Sequence, residues 1–103
     1  MRYETSSGGF YELNPFPGCN QIVVSNHSFV PKQARGKGIG SRDHSDRLER
    51  IESLGYDYAI CTVREDNIPQ IKILEKNLWK HLDTFVNRET ENIVRLYGRT
   101  FES

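Results

Sequence analysis

Gln33-Ala34-Arg35-Gly36-Lys37-Gly38-Ile39-Gly40-Ser41 is the stretch that decides the fold, because it joins a β-rich segment to an amphipathic one. Its three alternating glycines allow backbone conformations that other residues avoid, and they leave space where side chains would block a ligand. A helix that begins here adds roughly half a positive charge at its N-terminus. The turn therefore predicts a cradle for phosphate or pyrophosphate, although a tight strand-to-helix connection without a ligand would use the same glycines.

The segments on either side of this turn differ in hydrophobic period. Residues 9–13 and 21–30 are rich in aromatic and β-branched side chains and predict two strands, separated by a Pro- and Gly-containing turn at residues 14–18. We expect these two strands to be antiparallel neighbours. After the glycine turn, apolar residues recur at three-residue steps and predict an amphipathic helix that ends at Gly55, with the stripe formed by Leu48, Ile51 and Leu54.

The second half of the chain repeats this alternation of strand and helix. Residues 58–63 form a nearly continuous apolar run, typical of a strand buried on both faces, so the preceding helix predicts a right-handed crossover between parallel strands. A second helix is predicted over residues 69–79, and residues 81–86 and 92–97 predict a closing hairpin. The predicted order is β-β-α-β-α-β-β, an α+β (mixed α/β) domain with a central mixed sheet and two main helices.

Composition limits the class of protein. The chain has 103 residues, so we expect a single domain over residues 1–103. Its 14 Lys and Arg balance 14 Asp and Glu, which gives no electrostatic case for nucleic acid or an anionic membrane surface. The N-terminal residues lack the apolar segment of a signal peptide, and no apolar run is long enough to span a membrane. Cys19 and Cys61 lack metal-ligand spacing, so we expect free thiols, no metal and a cytoplasmic protein.

The glycine turn and its surroundings resemble a known family. Residues 33–38 match the pattern of Gln or Arg, two residues, Gly, one residue, and Gly or Ala, which is the signature of the GNAT (Gcn5-related N-acetyltransferase) superfamily. Val30-Pro31 precedes it, with one more residue before Arg35 than the commonest spacing. Asn67 and the segment over residues 71–76 resemble the family's strand-end asparagine and the helix that follows it. The resemblance covers residues 21–101.

This resemblance implies acetyl-CoA or another acyl-CoA as cofactor. In the family, backbone amides of the turn bind the CoA pyrophosphate, the preceding strand hydrogen-bonds the pantetheine arm, and two central strands splay apart so that the thioester reaches the acceptor. Arg35 and Lys37 would add side-chain charge for the phosphates. The implied cofactor-binding residues are Phe29, Val30, Arg35, Gly36, Lys37, Gly38, Ile39, Gly40, Ser41 and Asn67.

The family's proton-transfer positions are substituted in this chain. Leu74 stands where many members carry a tyrosine acid, and Gln21 stands where protein-acetylating members carry a glutamate base. His27 is the predicted substitute base, because an unperturbed histidine titrates near pH 6.5. Tyr97 is the predicted alternative proton donor. Cys61 is expected to be a core residue, because a buried thiol forms little thiolate.

Two functions from different classes follow. The leading hypothesis is an acyltransferase that moves an acetyl group from acetyl-CoA to a primary amine of an unassigned acceptor, for example on a protein or peptide. Family members usually have a further strand and two helices that roof the acceptor site. We therefore expect either an open groove that suits a protein or peptide amine, or a homodimer in which the partner chain completes the site. The alternative is an inactive GNAT-fold module that binds CoA or a protein partner. Nucleic-acid binding is disfavoured, because no aromatic residues interleave with the basic turn.

Overall fold

The structure of the chain, a computed structural model, describes residues 1–34 and 38–102. Six strands and two α-helices follow one another as predicted, except that a short strand precedes the others. In chain order the elements are β1 (Arg2–Glu4), β2 (Phe10–Phe16), β3 (Cys19–Phe29), a 3-10 turn (Lys32–Ala34), α1 (Ile39–Ser53), β4 (Tyr58–Arg64), α2 (Ile68–Lys76), β5 (Lys80–Val86) and β6 (Ile93–Thr100).

In the part of the chain that the structure describes, the strands form one mixed sheet in the order β1-β2-β3-β4-β6-β5. β3 and β4 are parallel and the other neighbours are antiparallel. The predicted fold class is therefore confirmed, including the crossover through α1 and the closing hairpin. β1 was not predicted, because three residues without an apolar pattern give no period. It pairs with β2, where Arg2 lies 3.7 Å from the Glu12 carboxylate.

The start and end of α1 and the start of α2, which carry local sequence signals, agree with the prediction. α1 follows Gly38 and stops before Gly55, and both glycines adopt the left-handed conformation, with φ of 73° and 84°. Asn67 caps α2 with its side chain, which accepts the Gln70 N–H at 3.4 Å. The predicted end of α2 at Trp79 is wrong. The helix stops at Lys76, and the chain turns so that the Trp79 side chain enters the core.

The core lies between the sheet and the two helices. Val23 and Ala59 occupy adjacent parallel strands and pack under α1 and α2, which contribute Ile51 and Leu74. Each of these four side chains is fully buried. The buried face of α1 differs from the predicted stripe, because Leu54 is half exposed and Leu48 is only partly buried. Three of the four buried residues of α1 are polar or charged: Asp43, His44 and Arg47.

The separation of β3 from β4 creates the opening in which the candidate functional site lies. The parallel pairing of β3 and β4 comprises three residue pairs and ends at Val24 and Ile60. Beyond that point β3 continues to Phe29 and β4 continues to Arg64, with no further pairing between them in the described residues. The two strands therefore separate and leave an opening at their carboxyl ends. Ligands of open α/β sheets bind at this kind of edge.

Candidate functional site

Two adjoining cavities occupy the opening between β3 and β4. The larger, of about 710 Å³, extends from the end of β3 to the first turns of α1 and α2. The smaller, of about 220 Å³, lies between the separated strands. Ser28, Arg47, Asn67 and Gln70 line both cavities, so the two form one continuous site. The larger volume lies in the range of small-molecule and cofactor sites.

The predicted cofactor-binding residues converge on the larger cavity. Its lining includes six of them: Phe29, Val30, Gly38, Gly40, Ser41 and Asn67. Ile39 is the first residue of α1 but is not among the lining residues. Arg35, Gly36 and Lys37 lie outside the described residues. Sequence reasoning thus brought together residues that are up to 38 positions apart and that share one cavity.

The N-terminus of α1 opens onto the larger cavity without a side-chain cap or an acidic residue in its first turn. The N–H groups of a first turn have no partners inside the helix, so an anion is a natural partner for them. An added Cβ at Gly38 would meet nothing within 4 Å among the described atoms. At Gly40, a Cβ would lie 3.2 Å from Ile73 Cδ1, so this glycine allows α1 and α2 to pack closely.

A row of polar side chains on α1 is buried beneath the site. Asp43 Oδ2 accepts hydrogen bonds from Thr5 Oγ1 at 3.0 Å and from Ser7 Oγ at 2.7 Å. Trp79 Nε1 donates to His44 Nε2 at 2.9 Å, one turn from the site. Burial, with the charges of Arg47 and Arg99, lowers the pKa of His44 to about 3. The imidazole is therefore neutral at physiological pH.

Sequence reasoning missed this buried polar face of α1. The signal was present, because residues 43, 47 and 51 recur at four-residue steps and lie on one helical face. The predicted stripe instead used the apolar residues at three-residue steps. Asp43 and Arg47 both line the larger cavity, so the face of α1 that meets the site carries charged residues outside the predicted apolar stripe.

The predicted catalytic residues have different outcomes. The backbone of His27 lies in β3, but its side chain lies outside what the structure describes. Tyr97 is fully buried and lines neither cavity, which corrects the expectation that it faces the site. Its hydroxyl donates to Glu75 Oε2 at 3.0 Å and accepts from Arg95 Nη1 at 3.2 Å. Burial is the main cause that raises the pKa of Tyr97, so the hydroxyl keeps its proton.

The other residues with candidate chemistry have structural surroundings. Leu74 is fully buried and lines the smaller cavity, whereas Gln21 lies at the opposite end of β3, where its carbonyl accepts the Asp57 N–H at 2.9 Å. Cys61 also lines the smaller cavity and is a free thiol. Burial raises the pKa of Cys61 to about 12, so it is protonated at neutral pH and is a poor nucleophile.

The described residues contain neither a membrane-spanning helix nor a cluster of metal ligands. None of the helices within residues 1–34 and 38–102 has the length and apolar character needed to cross a membrane. The same residues contain no group of three or more His, Cys, Asp or Glu side chains that could hold a metal ion.

Comparisons with known proteins place the fold. No protein-family profile and no curated protein matches the sequence. Among solved structures, the chain is similar to an IAA acetyltransferase from Bacillus cereus (TM-score 0.80, 13% identity, 90% of this chain and 69% of that one). It is also similar to a ribosomal-protein-alanine N-acetyltransferase from Brucella melitensis (TM-score 0.79, 16% identity, 97% and 67%) and to a Bacillus subtilis acetyltransferase in complex with CoA (TM-score 0.75, 16% identity, 91% and 69%).

Across eight such structures the chain spans 58–69% of the other protein's length. TM-scores of 0.75–0.82 show that the fold is shared, although the identities are only 10–20%. Activity has to be argued from the site itself.

Proposed function

The chain has the fold of the GNAT N-acetyltransferases, and from this premise we propose that it is an acyltransferase. It moves an acetyl group from acetyl-CoA, or another acyl group from its CoA thioester, to a primary amine on a protein, a peptide or a smaller acceptor. The observation that carries the proposal is the larger cavity, which joins the uncapped start of α1 to the opening between β3 and β4.

The residues of the larger cavity suit the donor. The first-turn N–H groups of α1, at Ile39 and the residues after it, would bind the pyrophosphate. Arg35, Gly36 and Lys37, which precede α1 in the sequence, would contribute to the same site. The end of β3 at Phe29 and Val30 would hold the pantetheine arm, with Asn67 on the opposite side. When bound, the CoA thioester supplies an acyl carbonyl with a good leaving group.

The surroundings of the site favour direct attack by the amine rather than a covalent acyl-enzyme. Cys61 is the thiol that lines the opening, and its raised pKa keeps it protonated. Holding the amine against the thioester supplies much of the rate without a protein nucleophile. We propose His27 as the base that receives the amine proton, because β3 carries it towards the opening and an unperturbed imidazole titrates near pH 6.5.

The test of donor binding is calorimetric titration of acetyl-CoA into the wild type and into Gly38→Glu, which places a carboxylate at the start of α1. Gly18→Glu is the matched control, because Gly18 also has a positive φ of 84° and open space around a Cβ, but lies in the turn between β2 and β3. We expect Gly38→Glu to lose binding and Gly18→Glu to keep it. A folded wild type that binds neither CoA nor acetyl-CoA contradicts the proposal.

A second candidate is a module that binds CoA, or a protein partner, without catalysis. The buried Leu74 at the site and the position of Tyr97 away from it favour this alternative, because neither provides the acid that many family members use. Release of free CoA in the presence of a panel of primary amines separates the two. CoA release above the uncatalysed rate supports the enzyme, whereas binding without release supports the module.

We further propose a homodimer in the cytoplasm, with a single domain per chain and no nucleic-acid or membrane partner. β5 is an edge strand whose seven residues are all exposed, including the apolar Leu82, Phe85 and Val86. Such an edge is a site for association with a second copy. Both cysteines are free, as is usual in a reducing compartment. Sedimentation equilibrium tests the dimer, and a monomer at micromolar concentration contradicts it.

A further inference from the structure

The side chain of Arg47 lies at the floor of the site with part of its hydrogen-bonding capacity unused. It is 6% exposed and lines both cavities. Nη1 donates to Ser25 Oγ at 3.2 Å, which is the only hydrogen bond of this guanidinium in the described residues. Nε is buried and has no hydrogen-bond partner there. The Tyr11 ring lies 5.7 Å from Cζ and packs beside the charge without accepting a conventional hydrogen bond from it.

Among the described residues no carboxylate forms an ion pair with Arg47, although the charge of Asp43 on the same helix favours its cationic form. Within residues 1–34 and 38–102, no Asp or Glu oxygen lies within 4.0 Å of its nitrogens. Asp43, one turn earlier on α1, accepts hydrogen bonds from Thr5 and Ser7 with its Oδ2. Burial lowers the pKa of Arg47, which means that its surroundings disfavour the charge. A buried cation is costly unless an anion and hydrogen bonds satisfy it.

The smaller cavity has the electrostatic character of an anion site. Its described lining contains no Asp or Glu and includes two arginines, of which Arg64 is exposed and already paired with Asp66 at 2.7 Å. The remaining polar lining is neutral: Ser25, Asn26, Ser28, Thr62, Asn67 and Gln70. Arg47 is therefore the charge in the described lining of this cavity that has no ion-pair partner within 4.0 Å.

We propose that Arg47 binds a carboxylate carried by one of the two substrates, in the opening between β3 and β4. The inference rests on the proposed acyltransferase function and specifies its substrate class. With Nη1 held by Ser25 and Nε buried, Nη2 is the guanidinium nitrogen left for a ligand in the described residues. A hydrogen bond from Nη2 to a carboxylate is charge-assisted and therefore strong. The volume of about 220 Å³ is that of roughly seven waters, enough for a short carboxylated chain.

The carboxylate has two sources that share this chemistry. A dicarboxylic acyl group, such as succinyl, carries it on the donor, and an amino acid carries it on the acceptor. Calorimetric titrations compare succinyl-CoA with acetyl-CoA, and, with CoA present, alanine with alaninamide. A charge-assisted hydrogen bond from a buried guanidinium should favour the carboxylate-bearing ligand of one pair about tenfold or more.

Three variants test whether Arg47 causes the preference for the carboxylate-bearing ligand. Arg47→Leu should abolish the preference for the carboxylate-bearing ligand. Arg47→Lys should retain a weaker preference, because it keeps the charge but not the planar guanidinium. Arg88→Leu, in the exposed β5–β6 loop, should leave the preference unchanged. The wild-type comparison decides the question even where Arg47→Leu does not fold. A preference that survives in a folded Arg47→Leu overturns the role of Arg47.

The outcomes separate this inference from the function on which it rests. Binding of acetyl-CoA with no carboxylate preference in either pair overturns the inference and leaves the acyltransferase proposal standing. A carboxylate preference for alanine in a protein that binds no CoA retains the anion site and overturns the proposed function. Preference within the donor pair or within the acceptor pair identifies which substrate carries the carboxylate.

Discussion

Acidification below pH 6.5 should destabilise the folded chain through His44. This side chain is 1% exposed, and its Nε2 accepts the hydrogen bond that Trp79 donates at 2.9 Å. A proton on Nε2 would break that bond and add a charge in a buried place near Arg47 and Arg99. The folded state therefore holds His44 neutral and lowers its pKa to about 3.

The size of the effect follows from the difference between the folded and unfolded pKa values. In the unfolded chain an imidazole titrates near pH 6.5, so between about pH 6.5 and 3 the unfolded state binds the proton and the folded state does not. The stability contributed by neutral His44 is complete above pH 6.5 and is lost as the pH falls. The loss approaches roughly 1.4 kcal/mol per pH unit, or about 2 kcal/mol at pH 5.

Urea unfolding at pH 8 and pH 5 measures this loss. His44→Gln is the informative variant, because its amide oxygen can accept from Trp79 and has no proton to gain. We expect the difference in unfolding free energy between the two pH values to shrink by about 2 kcal/mol in His44→Gln. His81→Gln, at an exposed position in β5, should keep the wild-type difference. Equal pH dependence in the wild type and His44→Gln would refute the reasoning.

Two further predictions concern packing and reactivity. Gly9→Ala should lower the unfolding free energy by about 1–3 kcal/mol, because a Cβ there would overlap the Phe29 carbonyl oxygen. An unchanged thermal midpoint in Gly9→Ala would contradict the overlap. Cys61 should resist iodoacetamide at pH 8 while the partly exposed Cys19 is alkylated, because burial raises the pKa of Cys61 to about 12. Mass spectrometry of the intact protein and its peptides locates the label, and equal labelling of both thiols in folded protein would be inconsistent with that burial.

The parts of the fold that were predictable have signals within a few neighbouring residues. Gly55 marks the end of α1 because its φ is positive, and Asn67 with Pro69 marks the start of α2 because a cap and a residue without an N–H suit a first turn. β1 and the end of α2 escaped prediction for the opposite reason. β1 exists through its pairing with β2, and Trp79 leaves the helix to pack in the core.

The residues of the candidate site also fall into those that the sequence predicted and those that it did not. Six of its predicted residues line the larger cavity, because the glycine turn, the preceding strand and the strand-end Asn67 each have a recognisable sequence context. Tyr97 lies away from both cavities, where its hydroxyl contacts Glu75 of α2 and Arg95 of its own strand. Periodicity left Arg47 outside the predicted apolar stripe, although this residue is buried and lines the site.

By itself the sequence determined that a glycine-rich turn connects a strand to a helix, and that a buried parallel strand follows. Local conformational preference and hydrophobic period are sufficient for both. Only the tertiary structure decided where β3 and β4 separate, which happens after Val24 and opens the two cavities. It also decided that Arg47 lines both cavities and donates a hydrogen bond to Ser25, which lies 22 residues earlier in the chain. The surroundings of a charged side chain depend on distant segments, and no local pattern in the sequence records them.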